Sequence, residues 1–189
     1  DDMLQKAYEI MVNDKECLDF LRNKYRYIQV DEYQDTNLIQ KDIIYLLAGQ
    51  DGNLAVVGDD DQSIYAFRGA KPEIMLNFQK EYPKSKMVKM STNYRSGKKI
   101  ISEADRVIKS NTNRFQKDFI GFKPENGAVE YIVTEEKKDE ILKIYSRIKK
   151  LLNDGENPAD IAVLFRTNRQ AEKMAAILFR NQIPFQSNE

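Results

Sequence analysis

The stretch Ile28-Gln29-Val30-Asp31-Glu32-Tyr33-Gln34-Asp35-Thr36-Asn37 decides the fold of this chain, because apolar residues run directly into carboxylates. Residues 27–30 predict a short buried strand that ends in the acidic pair Asp31 and Glu32. Open α/β sheets bind ligands at the carboxyl ends of their strands. A second stretch repeats the pattern, since the apolar residues 54–57 run into Gly58-Asp59-Asp60-Asp61-Gln62. Two neighbouring strands that both end in acids predict a site for a hard cation and a charged substrate.

The remaining hydrophobic periodicity predicts helices and strands in alternation. A helix is expected between the cap Asn37 and the stop Gly49, and residues 62–68 are expected to form a loop or short helical turn closed by Gly69. Further helices are predicted over 4–21, 72–82, 98–110, 136–152 and 168–179. Further strands are predicted over 86–90, 129–133, 161–165 and 183–185, with an irregular connection over 111–127. Strands that alternate with helices predict an α/β fold with parallel sheets.

Composition excludes several classes of protein. Of the 189 residues, 41% are hydrophobic and 32% are charged, so the chain can bury a core and is not disordered. There is no histidine, which excludes histidine-based catalysis and metal ligation. Cys17 is the single cysteine, which excludes an internal disulfide and is compatible with a reducing compartment. No apolar run approaches the roughly 18 residues of a membrane span, so no membrane partner is expected.

Charge is segregated along the chain although the formal net charge is zero. Residues 30–62 contain eight acids and one lysine, whereas residues 71–123 contain thirteen basic residues and five acids. An acidic pocket beside a basic stretch fits a metal site that faces a polyanion, either a nucleotide or a nucleic acid. The alternative is ordinary solvated surface.

The acidic pair Asp31 and Glu32 suits metal-assisted hydrolysis. One carboxylate can hold a magnesium ion while its neighbour orients and deprotonates an attacking water. A simpler interpretation is a strand end whose acids are hydrogen-bonded to nearby loops. A metal-dependent nuclease that uses this pair together with Asp59 and Asp61 is another alternative.

The residues after the second acidic stretch suit contacts with phosphate and nucleic acid. Gln62 could donate to a terminal phosphate and accept from a water. Tyr65, Phe67 and Arg68 suit stacking on the exposed bases of a single strand, although core packing also accounts for the two aromatic residues. Arg95 could reach a developing phosphate charge across a cleft, or form a surface ion pair.

Three motifs resemble those of the UvrD/Rep/PcrA family of superfamily I DNA helicases. They are Val-Asp-Glu-Tyr-Gln-Asp-Thr-Asn over 30–37, Val-Gly-Asp-Asp-Asp-Gln-Ser-Ile-Tyr-Ala-Phe-Arg-Gly-Ala over 57–70 and Asn-Tyr-Arg-Ser over 93–96. Ile-Ala-Val-Leu-Phe-Arg-Thr-Asn over 161–168 resembles a fourth. Their order and spacing match the family across almost the whole chain. The resemblance implies parts of two RecA-like motor domains, residues 1–92 and 93–189, from an ATP-driven enzyme. That enzyme would move 3′ to 5′ along single-stranded DNA and unwind duplex DNA.

The resemblance also implies a role for each motif residue. Asp31 and Glu32 would hold Mg²⁺, Asp31 would also engage ATP, and Glu32 would be the general base. Gln62 would couple the γ-phosphate to the DNA-binding elements. Arg95 would be an arginine finger from the second motor domain, with Tyr94 near the nucleotide base. The DNA contacts would come from Tyr65, Phe67, Arg68, Arg166 and Asn168.

Two departures from the family pattern set further expectations. The phosphate-binding loop Gly-x-x-x-x-Gly-Lys-Thr is absent from these residues, and the family's final motifs would lie beyond Glu189. The chain is therefore expected to be a fragment that needs the remainder of the helicase and hydrolyses no ATP alone. Phe67 stands where many relatives have tryptophan, and its ring offers a smaller stacking surface than tryptophan would.

A non-catalytic, helicase-derived module that binds DNA or a protein remains the alternative function. The expected location in either case is the cytoplasm, in association with the nucleoid.

Overall fold

A computed structural model describes residues 2–50 and 52–187. The chain divides between Val129 and Glu130 into two compact units, and each is described by itself. This division falls later in the chain than the boundary between residues 92 and 93 expected from the motifs. The assignment of two motor domains on either side of that boundary remains a prediction.

Helices and strands alternate through the first unit. Its helices are α1 (Asp2–Asn13), α2 (Lys15–Lys24), α3 (Leu38–Ala48), α4 (Pro72–Leu76), α5 (Phe78–Glu81) and α6 (Lys98–Ile108). Its strands are β1 (Tyr27–Val30), β2 (Asn53–Val56), β3 (Thr92–Asn93) and β4 (Ile120–Gly121). Short 3₁₀ turns lie at Tyr33–Asp35, Asp60–Gln62 and Ala66–Arg68.

Strands β1 and β2 form a parallel pair in the register Tyr27 to Asn53 through Val30 to Val56. Helix α3 connects them, as a parallel pair requires. The ladder continues past the ends of both strands, because the Val57 N–H donates to the Val30 carbonyl at 2.8 Å and the Tyr33 N–H donates to the Val57 carbonyl at 2.9 Å. The residues that follow the two strands are therefore held side by side. A second parallel pair joins β3 to β4, and the predicted α/β class with parallel sheets is confirmed.

Helix α3 begins and ends where the sequence predicts. The Asn37 side chain accepts from the Gln40 N–H, and the Gln40 side chain accepts from the Asn37 N–H, each at 3.0 Å. This reciprocal capping box satisfies two amide groups that the first turn of a helix leaves unpaired. Gly49 ends the helix with φ 67°, a backbone conformation that glycine adopts without a steric penalty.

Tyr33 anchors the core of the first unit and is fully buried. Its ring packs edge-on against Phe78, with centroids 5.8 Å apart. Its hydroxyl lies 3.3 Å from that of Tyr45. Ala70 and Ile74 are buried in the same unit. The residue that follows the acidic pair is thus fixed by packing, which gives the pair a rigid support.

The second unit is built on α7 (Lys137–Asn153) and α8 (Asn168–Arg180), with a 3₁₀ turn at Pro158–Asp160. Its core consists of Ile141, Ile148, Met174 and Leu178. Thr167 caps α8, and the Thr167 and Gln170 side chains complete a second capping box. The predicted helices over 136–152 and 168–179 are confirmed to within one residue.

Two predicted helices are each broken into two. The helix predicted over 4–21 stops at Asn13, because the Asp14 side chain accepts from the Cys17 N–H at 2.9 Å and caps a new helix. A side chain that bonds to nearby backbone competes with helix continuation. The helix predicted over 72–82 is interrupted at Asn77, which separates α4 from α5.

The strands predicted over 86–90, 129–133, 161–165 and 183–185 are not strands in the structure. The segment over 161–165 nevertheless keeps the alternation of a strand. Ile161, Val163 and Phe165 pack against the core of the second unit, whereas Leu164 is 93% exposed. The hydrophobic pattern was interpreted correctly, but a strand also needs a hydrogen-bonded neighbour, and the described residues supply none there.

Within the described part of the chain, no helix combines the length and the apolar character that crossing a membrane requires.

Candidate functional site

The acidic pair lies where the sequence predicts, at the carboxyl end of β1. Asp31 and Glu32 are both exposed, and the Glu32 N–H donates to Asp31 Oδ1 at 2.9 Å. Glu32 has φ 50° and ψ 42°, which is the left-handed conformation. Residues other than glycine seldom adopt it, and such strained positions cluster at functional sites.

Gln34 joins the first acidic stretch to the second, a role that the sequence analysis did not identify. Its side-chain Nε2 donates to Glu32 Oε2 at 2.7 Å, and its Oε1 accepts from the Asp59 N–H at 3.0 Å. Its backbone carbonyl accepts from the Ser63 hydroxyl at 3.3 Å. Gln34 is 1% exposed. The available sequence signal was an amide residue between two acids that immediately follow a strand.

Gly58 allows the second acidic stretch to approach Gln34 this closely. A Cβ atom at Gly58 would lie 2.6 Å from Gln34 Oε1 and 3.1 Å from the Tyr33 nitrogen. The first of these contacts is closer than packed atoms tolerate, so a side chain here would displace the Gln34 amide. The glycine is required for close approach and not for its backbone angles.

The turn over Asp59–Gln62 presents the predicted phosphate sensor. The Asp59 carboxylate accepts from the Asp61 N–H through Oδ1 at 3.1 Å and from the Gln62 amide through Oδ2 at 2.8 Å. Since Asp59 also donates its N–H to Gln34, hydrogen bonds run without a break from Glu32 through Gln34 and Asp59 to Gln62. The structure therefore brings together two of the predicted catalytic residues.

Two cations from the basic stretch form ion pairs with the three carboxylates of this acidic turn. Arg114 binds Asp61 with two hydrogen bonds, at 2.7 and 2.5 Å. The Lys117 ammonium forms ion pairs with Asp59, Asp60 and Asp61. The Asp60 side chain is 1% exposed. A buried carboxylate of this kind is tolerated only when it is paired.

The ion pairs shift the pKa values of both partners. Burial alone would raise the pKa of the Asp59 carboxyl, but Lys117 and Gln62 outweigh it and hold that pKa below its ordinary value. Arg114 lowers the pKa of the Asp61 carboxyl. Burial would lower the pKa of the Lys117 ammonium, but the three carboxylates raise it. The ion pairs thus stabilise the fold at neutral pH, and this contribution is lost as the pH falls below about 4 or rises above about 10.

This pairing decides which acids can hold a metal. The carboxylates of Asp59, Asp60 and Asp61 lie close enough together to share a cation, but Lys117 supplies that positive charge. Asp31 and Glu32 form no ion pair with the described residues, and carboxylate oxygens are the ligands that Mg²⁺ prefers. The exposed pair therefore fits a metal better than the acidic turn, and this weakens the nuclease alternative, which needs Asp59 and Asp61.

The predicted DNA-contacting residues of the first unit lie together. The Tyr65 and Phe67 ring centroids are 5.8 Å apart. The Arg68 guanidinium carbon lies 4.8 Å from the Tyr65 centroid and 5.5 Å from that of Phe67. Phe67 is 79% exposed, so core packing does not account for it. The three side chains form an aromatic–arginine cluster at the surface, defined here as Tyr65, Phe67 and Arg68.

Tyr94 and Arg95 lie on a separate turn that follows β3. The Asn93 side chain shapes this turn by accepting from the Arg95 and Ser96 N–H groups at 3.0 and 2.9 Å. Tyr94 packs against Phe122, with ring centroids 4.9 Å apart. The Arg95 guanidinium forms no hydrogen bond or ion pair with residues 2–50 or 52–187. The structure does not join Arg95 to Glu32 or Gln62.

Arg166 and Asn168 belong to the second unit. Both are exposed, and they flank Thr167 at the start of α8, where backbone N–H groups point out of the helix. They lie close to each other in the chain, as the fourth motif predicts. Their role in binding DNA stays a prediction.

Two family descriptions match the chain. UvrD/REP helicase N-terminal domain matches residues 1–83, and UvrD-like helicase C-terminal domain matches residues 88–189. The putative ATP-dependent DNA helicase YjcD of Bacillus subtilis is 38% identical over 185 residues, which are 98% of this chain and 24% of that protein. The ATP-dependent DNA helicases PcrA of Staphylococcus epidermidis and Staphylococcus aureus are each 36% identical over 98% of this chain and 25% of their own. The chain spans about a quarter of the length of these curated relatives.

Replacing Lys117 with methionine should destabilise the chain. The substitution keeps most of the side-chain volume but leaves the acidic turn short of one positive charge. Breaking a buried ion pair from one side costs on the order of 3 kcal/mol. Urea unfolding followed by circular dichroism measures the change in the free energy of unfolding.

Lys123→Met is the matched control, because Lys123 is exposed on the same segment. We expect it to change the free energy of unfolding by less than about 0.5 kcal/mol. Equal losses in the two variants would contradict a specific role for the ion pairs of Lys117.

Proposed function

The chain belongs to the UvrD-like helicase family, and on this basis we propose that it forms part of an ATP-dependent DNA helicase motor. In the intact protein, ATP hydrolysis would drive 3′–5′ translocation on single-stranded DNA and the unwinding of duplex DNA. The observation that carries the proposal is the continuous hydrogen bonding from Glu32 to Gln62. It links an exposed acidic pair that suits hydrolysis to a turn that leads directly into the aromatic–arginine cluster.

The proposed chemistry at the acidic pair is the activation of water. Asp31 would hold Mg²⁺, which when bound supplies positive charge to the phosphates of ATP. Glu32 would accept the proton of the attacking water as a general base. The Glu32 carboxylate is exposed, so its oxygens are accessible to water.

Gln62 and Arg95 would respond to the γ-phosphate from two sides. The Gln62 amide nitrogen has two hydrogens, so it can contact Asp59 and still donate to a phosphate oxygen. Arg95 would supply positive charge to the transition state as an arginine finger, with Tyr94 near the nucleotide base. The unpaired guanidinium of Arg95 supports this role, because no carboxylate among the described residues competes for it. Closure of the two motor domains, residues 1–92 and 93–189, would bring Arg95 to the phosphate.

The aromatic–arginine cluster would bind single-stranded DNA by stacking. An exposed aromatic ring next to a guanidinium offers a flat surface and a positive charge to a base and its phosphate. Arg166 and Asn168 would provide further contacts from the second unit. Lys117 and Arg114 offset two of the three negative charges of the acidic turn, so it repels the DNA backbone less than its sequence suggests.

The remainder of the helicase would complete both sites. A pair of four-residue strands is a small part of a RecA-like sheet, and the phosphate-binding loop would come from another segment of the same protein. Since its substrate is DNA, we propose that the protein acts in the cytoplasm at the nucleoid. The second candidate function is a non-catalytic module that binds DNA or a protein, which the aromatic–arginine cluster alone would support.

Glu32→Gln should abolish ATP hydrolysis by the protein encoded by the complete open reading frame that contains this chain. We expect kcat with Mg²⁺ and oligo-dT to fall at least about 100-fold, the usual contribution of a general base. The Kd of a fluorescent ATP analogue should change by less than about threefold, because the carboxylate acts on water. Steady-state turnover and equilibrium titration measure the two quantities.

The matched control for this substitution is Glu16→Gln, which alters an exposed glutamate on α2. It should leave kcat unchanged. Wild-type turnover by Glu32→Gln would overturn the assignment of the general base. If the unsubstituted protein hydrolyses no ATP, the result would favour the non-catalytic module.

The purified 189-residue chain should hydrolyse no ATP with Mg²⁺, with or without oligo-dT. The physical reason is the absence of a phosphate-binding loop from its sequence. Its rate should equal that of the same chain carrying Glu32→Gln. A higher rate that depends on Glu32 would show that the missing loop is not needed for hydrolysis.

Phe67→Ala should weaken binding of the complete protein to single-stranded DNA by about tenfold, as expected for the loss of one base stacked on an aromatic ring. Fluorescence anisotropy of labelled oligo-dT at one fixed salt concentration measures the Kd. Phe20→Ala removes a ring of similar exposure on α2 and should have no effect. Phe67→Trp should tighten binding, since tryptophan offers a larger stacking surface. No change in the Kd of Phe67→Ala would exclude the stacking role.

A further inference from the structure

Gln34 is the buried amide through which the hydrogen bonds from Glu32 to Gln62 run. It lies between the proposed general base Glu32 and the turn that carries Gln62, and it is 1% exposed. We propose that Gln34 is a positioning residue that holds the Glu32 carboxylate for water activation and ties its position to the Asp59–Gln62 turn. This inference rests on the helicase function proposed above.

The environment fixes the orientation of the Gln34 amide. Its Nε2 faces the Glu32 carboxylate, which can only accept, and its Oε1 faces the Asp59 N–H, which can only donate. A flipped amide would oppose oxygen to carboxylate and nitrogen to N–H, losing both hydrogen bonds. Since the side chain is buried, water cannot replace them at low cost. A displacement of Asp59 would therefore move Glu32 as well, because both are bound to the same Gln34 amide.

Glu32 needs such support because of its own backbone and exposure. Its left-handed conformation places the side chain on a tight turn in contact with water. An exposed glutamate otherwise samples several rotamers. The contact from Gln34 is 2.7 Å long, and a hydrogen bond to an ionised carboxylate is about twice as strong as one between neutral groups. One buried donor thus restrains the carboxylate while leaving its other oxygen open.

The same amide connects Glu32 to the turn that would sense phosphate and DNA. The Asp59 backbone is bound to Gln34, while the Asp59 carboxylate accepts from Gln62 and pairs with Lys117. The two loops are in close contact at this point, because a Cβ atom at position 58 would lie 2.6 Å from Gln34 Oε1. A shift of the turn would therefore displace the general base. Gln34 gives this coupling a defined atomic path.

Gln34→Glu in the complete protein tests the role in catalysis. The new side chain has nearly the same shape and keeps an acceptor for the Asp59 N–H, but it opposes a carboxylate to that of Glu32. We expect kcat for DNA-stimulated ATP hydrolysis to fall at least about tenfold, because small displacements of a reacting group are costly. The KM for ATP should change by less than about threefold. Gln29→Glu is the matched control, since it makes the same change at an exposed position of β1 and should leave kcat within about twofold.

The double substitution Glu32→Gln with Gln34→Glu tests the contact separately from catalysis. It exchanges donor and acceptor, so the hydrogen bond between positions 32 and 34 can form in the opposite sense. We expect Gln34→Glu to lower Tm and the double variant to recover most of that loss. The double variant should hydrolyse ATP no more slowly than Glu32→Gln alone, since a residue that acts through Glu32 has no further effect once Glu32 is gone.

The outcomes separate the two proposals. Wild-type turnover by Glu32→Gln would overturn the assignment of Glu32 as the general base, while recovery of Tm in the double variant would still establish the contact. An inactive Glu32→Gln together with a normal kcat for Gln34→Glu would overturn the inference alone. If Gln34→Glu fails to fold, we expect the double variant to fold. A double variant that also fails to fold would overturn the inference.

Discussion

The structure depends on two backbone hydrogen bonds that extend the β1–β2 ladder beyond its strands, from Val57 to Val30 and from Tyr33 to Val57. They keep the chain segments after both strands within hydrogen-bonding distance of each other. The left-handed turn at Glu32 and the close approach at Gly58 are possible because this register does not slip. The full burial of Tyr33 holds the same register from the core side. Packing of one aromatic residue thus determines where the neighbouring carboxylates lie.

Electrostatics inside the first unit differs from what a linear charge count suggests. The acidic turn is not an open negative surface, because Lys117 and Arg114 from the basic stretch are bound to it. The exposed Asp31–Glu32 pair has no such partner among the described residues. Two acidic stretches with similar sequences therefore have different chemistry, one bound to cations of the protein and one accessible to a ligand. The difference arises from tertiary contacts and not from composition.

The sequence was sufficient to predict the features that local rules control. Strand ends at Val30 and Val56, the cap at Asn37 and the stop at Gly49 each depend on a few adjacent residues, and each prediction was confirmed to within one residue. The role of Gln34 and the pairing of Lys117 could not be predicted, since they depend on contacts between distant segments that leave no periodic signal. The strand predicted over 161–165 was wrong for a related reason. Its alternation reflects burial on one side, whereas a strand also requires a neighbour.

The acidic turn and its two cations are far apart in sequence although they are in contact in the fold, and this has a consequence for the order of folding. Lys117 and Arg114 lie 53 to 58 residues after their partners in the chain. Closing a loop of that length is slower than forming helix α3 or a local turn. During synthesis, three adjacent carboxylates leave the ribosome well before the residues that pair with them. The acidic turn would therefore become fully ordered only after the segment that carries its two cations has been made.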